Sequence, residues 1–157
     1  MLNITPEEDK ELRRLLTELA KESKSKIVIL IDKSGQLISR SESPAFSSDD
    51  ITFASLTAGN VAASEALSKL LGDKDLNHMF TETEEEGIYM ILLDGKYILV
   101  AIFSKNFSNL GIIRVKIKKF YPKVKELIER IEERTEKETT LSSDINVEEI
   151  DLDSLFE

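Results

Sequence analysis

Three short apolar runs constrain the fold of this chain more than any other feature. They lie in the segments KIVILID, GIYMILLD and KYILVAIF, and residues 27–31 and 97–103 are apolar at every position. Runs of this length without alternating polar residues are typical of strands that are covered on both faces. The sequence therefore predicts a sheet with packing layers on both sides.

The segments around these runs predict the remaining elements. QLISRSE and NHMFTETEEE are more polar and predict strands at the sheet edges, and Asp94-Gly95 predicts a hairpin turn. Three stretches with helical periodicity predict helices, the last of them interrupted by Pro122. The expected order is α-β-β-α-β-β-β-α. We expect an α/β (α+β) sandwich with a five-stranded, mostly antiparallel sheet and helices on both faces.

Composition and charge indicate one domain over residues 1–135 and an acidic, flexible tail over residues 136–157. The tail has eight acidic residues against one basic residue, so it carries −7 of the net charge of −9. The remaining −2 gives little support for nucleic-acid binding. No apolar run approaches the ~20 residues of a membrane span, and there is no cysteine for a disulfide or thiolate metal site. We expect a soluble, cytoplasmic protein with no membrane insertion.

Motifs for catalysis are missing from the sequence. It contains no GxxxxGK[ST] loop, no GxGxxG after a strand and no GxSxG. His78 is the only histidine and is expected to be a polar edge-strand residue rather than a general base. A run of acidic residues is expected to be a solvated edge and turn rather than a cation site: Glu82, Glu84, Glu85 and Glu86. We expect no enzyme activity, no cofactor and no metal.

The middle helix, which contains LTAGNVAASEALSKLLG, is unusually rich in small residues. Its phenylalanine and leucines recur at helical spacing, with Asn60 and Ala63 between them. This row predicts the sheet-facing stripe: Phe53, Leu56, Asn60, Ala63, Leu67 and Leu70. The opposite side is small and nearly uncharged: Ser55, Ala58, Gly59, Ala62, Ala66 and Lys69. One flank is also small: Ala54, Thr57, Val61, Ser64 and Ser68. A solvated helix face normally carries Glu, Lys and Arg, so these small surfaces predict interfaces.

The width of the sheet supports a second copy of the chain as one partner. Five strands span roughly 24 Å, and a single helix, roughly 10 Å across, would leave much of one apolar face bare. A twin of the middle helix is the simplest cover, and we expect it to pack on the small flank while the opposite small side is left for another partner.

Two further segments leave alternatives open. The last helix carries a basic run that is either a solvated face or a site for an acidic partner: Arg114, Lys116, Lys118, Lys119, Lys123 and Lys125. The tail is expected to be disordered through TEKETTLSSD and to form a short helix over 147–156. Its apolar residues predict either a segment that folds onto a partner or a frayed, solubilising tail: Ile150, Leu152, Leu155 and Phe156.

The middle helix, the hairpin LDGKYILVAIF and the segment NLGIIRVKIKK together resemble the Roadblock/dynein light chain family, above all its bacterial MglB-type members. The resemblance covers most of residues 5–133. It implies a homodimer in which the third strands, with Phe80, pair edge to edge and the middle helices lie side by side.

The resemblance also implies a function in cell polarity or motility. MglB-type proteins bind a small Ras-like GTPase, MglA, and stimulate GTP hydrolysis by holding its own switch loops. By this analogy the middle helices form the docking platform with Ala62 and Ala66 at its centre, and the tail segment contacts the GTPase. The alternatives are a scaffold without GTPase-activating effect and a small-molecule sensor, for which Asn60 is the only polar residue on an otherwise apolar face.

Overall fold

The computed structural model describes residues 2–43, 49–72 and 76–155, with side chains as far as Ser143. Three helices and five strands follow the expected order. They are α1 (Pro6–Ser23), β1 (Ile27–Asp32), β2 (Leu37–Arg40), α2 (Asp50–Leu70), β3 (His78–Glu82), β4 (Glu86–Leu93), β5 (Tyr97–Ser104) and α3 (Leu110–Leu155).

The strands form one antiparallel sheet in the order β2-β1-β5-β4-β3. The prediction that the apolar strands are central and the polar strands lie at the edges is confirmed. The β4–β5 turn is tight because Asp94 and Gly95 both have positive φ, 52° and 67°. This geometry suits the twist of a hairpin and is the reason that Asp-Gly is favoured there.

Two apolar layers cover the sheet. On one face, α1 and α3 bury a large core whose members include Leu16, Phe103 and Phe120. On the other face, α2 packs on the alternate residues of the same strands, such as Ile29 and Val100. Because both layers bury large side chains, the central strands are apolar at nearly every position, as their sequences indicate.

The first helix is fixed at both ends by local signals. Thr5 and Glu8 form the predicted capping box, with Glu8 N donating to Thr5 Oγ1 at 3.2 Å and Thr5 N donating to Glu8 Oε1 at 3.0 Å. At the other end, Lys24 adopts a left-handed conformation and its N–H donates to the last carbonyls of the helix. Glu8 also binds Arg134 of α3, which links the start of α1 to the far part of α3.

The last helix differs from the prediction. It continues without a break from Leu110 to Leu155, through Pro122 and through the stretch that was expected to be disordered. The expected division at residue 135 is therefore not marked by a helix end. The physical reason is local: the segment after Ile131 is rich in good helix formers, and Arg134 binds Glu138 one turn further on at 2.8 Å.

The tail residues that were expected to contact a partner lie at the end of this helix. Ile150, Leu152 and Leu155 fall within the helical backbone, beyond the last described side chain, and Phe156 lies outside the described residues. Their predicted role in binding stays a prediction.

Candidate functional site: the exposed surface of α2

The start of α2 is held by Asp49. Its carboxylate accepts hydrogen bonds from the backbone N–H groups of Ile51 and Thr52 at 3.1 and 3.2 Å, and from Thr52 Oγ1 at 2.6 Å. The pKa of Asp49 lies below its usual value, mainly because its carboxylate accepts the hydrogen bond from the Thr52 side chain. An ion pair between Arg40 of β2 and Asp50 fixes the same end to the sheet. The first turn of α2 is therefore anchored to the sheet.

Small side chains form the contact between α2 and the sheet. Ala54 and Val61 are 0% and 1% exposed, and Thr57 and Ala58 are also buried. At the β1–β2 turn, a Cβ on Gly35 would lie only 3.2 Å from the Cα of Ser55. Because the strands already supply large side chains, small residues on the helix allow a close approach. The flank that was predicted to meet a twin helix is thus the face that packs on the protein's own sheet.

The predicted sheet-facing stripe is wrong. Leu56, Leu67 and Leu70 are 70%, 61% and 85% exposed, Asn60 and Ala63 are also exposed, and Phe53 is half-buried. The prediction assumed that the largest apolar residues of a helix face the core. Here the three leucines point away from the sheet, whereas Phe53 packs against the core beneath the helix.

Other large apolar residues at the ends of the helix are exposed as well. Ile51 and Leu71, at the two ends of the helix, are also strongly exposed. Large apolar side chains that gather on one surface, rather than being scattered singly, mark an interaction site. The exposure of these leucines is the feature that the sequence prediction missed. The signal that could have revealed it is the apolar character of the strands, which leaves little room beneath α2 for leucines.

The side that was predicted to dock a GTPase is mostly exposed. The accessible members are Ser55, Gly59, Ala62, Ala66 and Lys69. Ala58 belongs to the buried face instead, since it packs beside the β1–β2 turn. A Cβ on Gly59 would meet no atom within 4 Å, so the surface around it is open. Small side chains of this kind let another backbone come close.

The remaining predicted dimer residues lie apart from one another. Ser64 and Ser68 on α2 are half-buried, whereas Phe80 lies on β3, at the opposite edge of the sheet from β2. The Phe80 ring stacks on Phe103 at 6.2 Å between centroids and remains 38% exposed. His78 lies on the same strand, is exposed as predicted, and has its ring 6.0 Å from that of Tyr89.

Several lysines of the basic run on α3 are engaged within the chain. Lys116 and Lys119 both bind Glu22 of α1, at 3.4 and 2.7 Å, and Lys125 binds Asp94 at 3.2 Å. Lys123 lies over the Phe120 ring. These contacts favour the interpretation of the run as a solvated helix face that also ties α3 to its neighbours.

A groove of about 640 Å³ lies away from α2, between the N-terminal segment, the two hairpin turns and α3. Tyr97 lines it, and burial raises the pKa of this phenol to about 12, with the nearby carboxylates of Glu132, Asp32 and Asp94 adding to the effect. Asn60, on which the sensor alternative rested, is not part of the groove. In the described part of the chain, no cluster of acidic residues or histidine is placed to hold a metal ion, and no helix could cross a membrane.

The three-layer arrangement, with the strand order β2-β1-β5-β4-β3, defines a Roadblock-type domain. The family model of the Roadblock/LC7 domain matches residues 11–103, and the chain belongs to this family. A comparison with curated proteins returned no match.

Solved structures of MglB proteins are similar over most of the chain. MglB of Myxococcus xanthus is 35% identical, with a TM-score of 0.71, covering 76% of this chain and 96% of that one. The gliding protein MglB of Thermus thermophilus is 25% identical, with a TM-score of 0.73 and coverages of 82% and 96%. An MglB with tetrameric arrangement has the same fold at 24% identity, with a TM-score of 0.75 and coverages of 83% and 96%.

Proposed function

We propose that this protein is a homodimeric, non-catalytic regulator that binds a small Ras-like GTPase of the MglA type and stimulates its GTP hydrolysis. The family assignment and the similarity to MglB structures support the class of function. The observation that carries the proposal is the exposed surface of α2, which is apolar or small and almost free of charge. A surface of this kind fits a protein partner better than it fits solvent.

The proposed mechanism needs no catalytic group from this chain. A GTPase whose switch loops move between several arrangements hydrolyses GTP faster when a partner selects the competent one. A rigid helix surface is suited to this task, and α2 is anchored at its start by Asp49 and by the Arg40–Asp50 ion pair. The switch loops would lie against the open surface around Gly59, Ala62 and Ala66.

The test is single-turnover GTP hydrolysis by an MglA-type GTPase with and without this protein. Ala62→Arg and Ala66→Arg place a long cation on the proposed docking surface, where an unpaired buried charge typically costs about 2–5 kcal/mol. We expect a loss of binding of roughly 30-fold or more and a matching loss of stimulation. Val115→Arg, at an exposed apolar position on α3, is the matched control and should leave both unchanged.

The outcome also decides between this function and a scaffold. If the wild-type protein binds the GTPase without accelerating hydrolysis, the scaffold alternative replaces the proposed activation. If Ala62→Arg and Ala66→Arg remain folded and still bind and stimulate normally, α2 is not the docking surface.

A further inference from the structure

The groove on the side of the molecule away from α2 has the size of a small-molecule site. Its volume is about 640 Å³, and ligand sites in proteins span roughly 300–1,000 Å³. Leu2, Ile4 and Ile38 line it, and all three are only partly buried by the core. Ligand sites typically combine such apolar walls with a few polar groups that select the ligand. The polar groups of this groove therefore indicate what it would bind.

The N-terminal segment forms one wall of the groove and is held to α3 by hydrogen bonds. Asn3 N donates to Thr135 Oγ1 at 3.2 Å, and the Asn3 side-chain amide donates to Glu138 at 3.0 Å. Arg134 donates to the backbone oxygen of Asn3. The capped start of α1 follows directly at Thr5. This wall is therefore fixed on both sides.

Tyr97 places an unpartnered polar group in the groove. Its side chain is only 8% exposed, yet its hydroxyl has no hydrogen bond to any described residue. Buried polar side-chain atoms in proteins nearly always have a hydrogen-bond partner. Because Tyr97 lines the groove, a ligand bound there can supply the partner.

Three carboxylates line the same groove: Asp32, Glu132 and Glu136. Within the β1–β2 turn, hydrogen bonds go only to Oδ1 of Asp32, which leaves Oδ2 available. Burial is the main cause that raises the pKa of Tyr97, and the carboxylates of Glu132, Asp32 and Asp94 raise it further. Surroundings that oppose a negative charge on the phenol favour a positive charge beside it.

Two lysines line the groove as well, but they compensate only part of this negative charge. Lys33 Nζ lies 2.8 Å from Glu65, so this lysine is engaged with α2. Lys96 Nζ lies 3.3 Å from Glu132, and the Lys96 side chain is 65% exposed. An exposed pair of this kind is weak, so a cation in the groove can replace Lys96. Glu136 has no ion pair within the part of the chain that the structure describes.

We propose that this groove binds a small amphipathic cation, namely a primary ammonium group on an aliphatic body. An ammonium has three donors and no acceptor, so it can donate to the Tyr97 oxygen and to two carboxylates at once. Its aliphatic body would pack on the walls formed by Leu2, Ile4 and Ile38. The site uses no residue of the exposed α2 surface, so the inference is independent of the proposed binding of a GTPase.

Three probes with the same aliphatic body test the role of charge: hexylammonium, hexanol and hexanoate. Binding to the full-length protein is measured by titration of backbone amide NMR shifts, which also locate the site. Since a hydrogen bond to a charged group is worth about 1.5–3 kcal/mol, we expect hexylammonium to bind about tenfold more tightly than the other two. The largest shifts should occur at Gly95, Lys96 and Thr135. Equal binding of the three probes, tighter binding of hexanoate, shifts elsewhere or no binding would each overturn the proposal.

The length of the probe tests the apolar walls. From butylammonium to hexylammonium, affinity should rise by up to about fourfold for each added methylene. Replacing Ile4 in Ile4→Ala should weaken the binding of hexylammonium several-fold and that of butylammonium less. An affinity that does not depend on chain length would show that the walls take no part.

The variant Tyr97→Phe removes the hydroxyl and keeps the ring in the core. We expect hexylammonium to bind about three- to tenfold more weakly to this variant, as for the loss of one hydrogen bond. Cooperative thermal unfolding shows that the variant is folded, and the wild-type titration locates the site in any case. Unchanged affinity in folded Tyr97→Phe would refute the role of the phenol.

Two lysine variants separate a site from a general attraction of cations to an acidic protein. Lys96 precedes β5 and pairs with Glu132, and Lys105 follows β5 and pairs with Glu82, both at 3.3 Å. Lys96→Gln frees a carboxylate of the groove, so it should strengthen hexylammonium binding several-fold. Lys105→Gln removes the same charge at the other end of the strand and should leave the affinity unchanged. An equal gain in both variants would refute the site. None of these measurements uses a GTPase, so they stand or fall separately from the proposed function.

Discussion

The ion pair between Glu8 and Arg134 allows a sharp prediction about how α3 is held to the domain. Arg134 donates to both carboxylate oxygens of Glu8, at 2.6 and 3.1 Å, and also to Glu138 and to the backbone oxygen of Asn3. The hydrogen bond from Arg134 is the main cause that lowers the pKa of Glu8 from 4.5 to about 2. The replacement Glu8→Gln removes the charge but preserves the helix cap, because glutamine also serves at this position of a capping box.

The expected loss of stability in Glu8→Gln follows from the lowered pKa of Glu8. One pKa unit corresponds to about 1.4 kcal/mol, so the lowered pKa sets an upper limit of about 3 kcal/mol. The side chains of Arg134 and Glu8 are 28% and 20% exposed, and solvent screening reduces this value. We expect Glu8→Gln to lower the free energy of unfolding by about 1–2 kcal/mol at pH 7, or the melting temperature by roughly 2–8 °C.

The pH dependence of this stability difference tests whether the Glu8–Arg134 ion pair is its cause. The pKa of Glu8 is lower in the folded state, so its contribution is complete above about pH 4.5 and is lost as the pH falls towards 2. The difference between wild type and Glu8→Gln, measured by urea unfolding at fixed protein concentration, should shrink over this range. Glu11→Gln is the control, because its pair with Arg130 joins the same helices but is more exposed. A difference that does not change with pH, or an equal effect of Glu11→Gln, would refute the reasoning.

Two glycines and the C-terminal segment give further predictions. Gly87→Ala should destabilise the protein by about 2 kcal/mol or more, because its Cβ would lie 2.3 Å from the buried Phe103 ring, and thermal unfolding measures the loss. Gly59→Ala should instead raise the melting temperature, since open space surrounds that position and alanine favours a helix by up to about 1 kcal/mol. Deleting residues 140–157 should leave the oligomeric state by light scattering unchanged but weaken GTPase binding or alter nucleotide exchange. Unchanged affinity and exchange would reduce the segment to a solubilising tail.

The fold was predictable because its strongest signals are local. Runs such as 97–103 are typical of strands buried on both faces, and Asp94-Gly95 favours a hairpin, so the central and edge positions of the strands followed from polarity alone. The rotation of α2 was not predictable in this way. Both Leu56 and Ala54 are compatible with a buried position, and what decides between them is the space left by side chains of distant strands such as Ile29 and Val100.

The C-terminal tail shows a second limit of prediction from the sequence. The stretch TEKETTLSSD is polar, with Leu141 as its only apolar residue, and this favours disorder in a sequence taken alone. In the structure, α3 is packed on the core as far as Ile131, so the residues that follow extend an existing helix and do not have to nucleate a new one. Extension lacks the unfavourable nucleation step. Contacts between Asn3 and the side chains of Thr135 and Glu138 then hold the first turns of the extension to the domain.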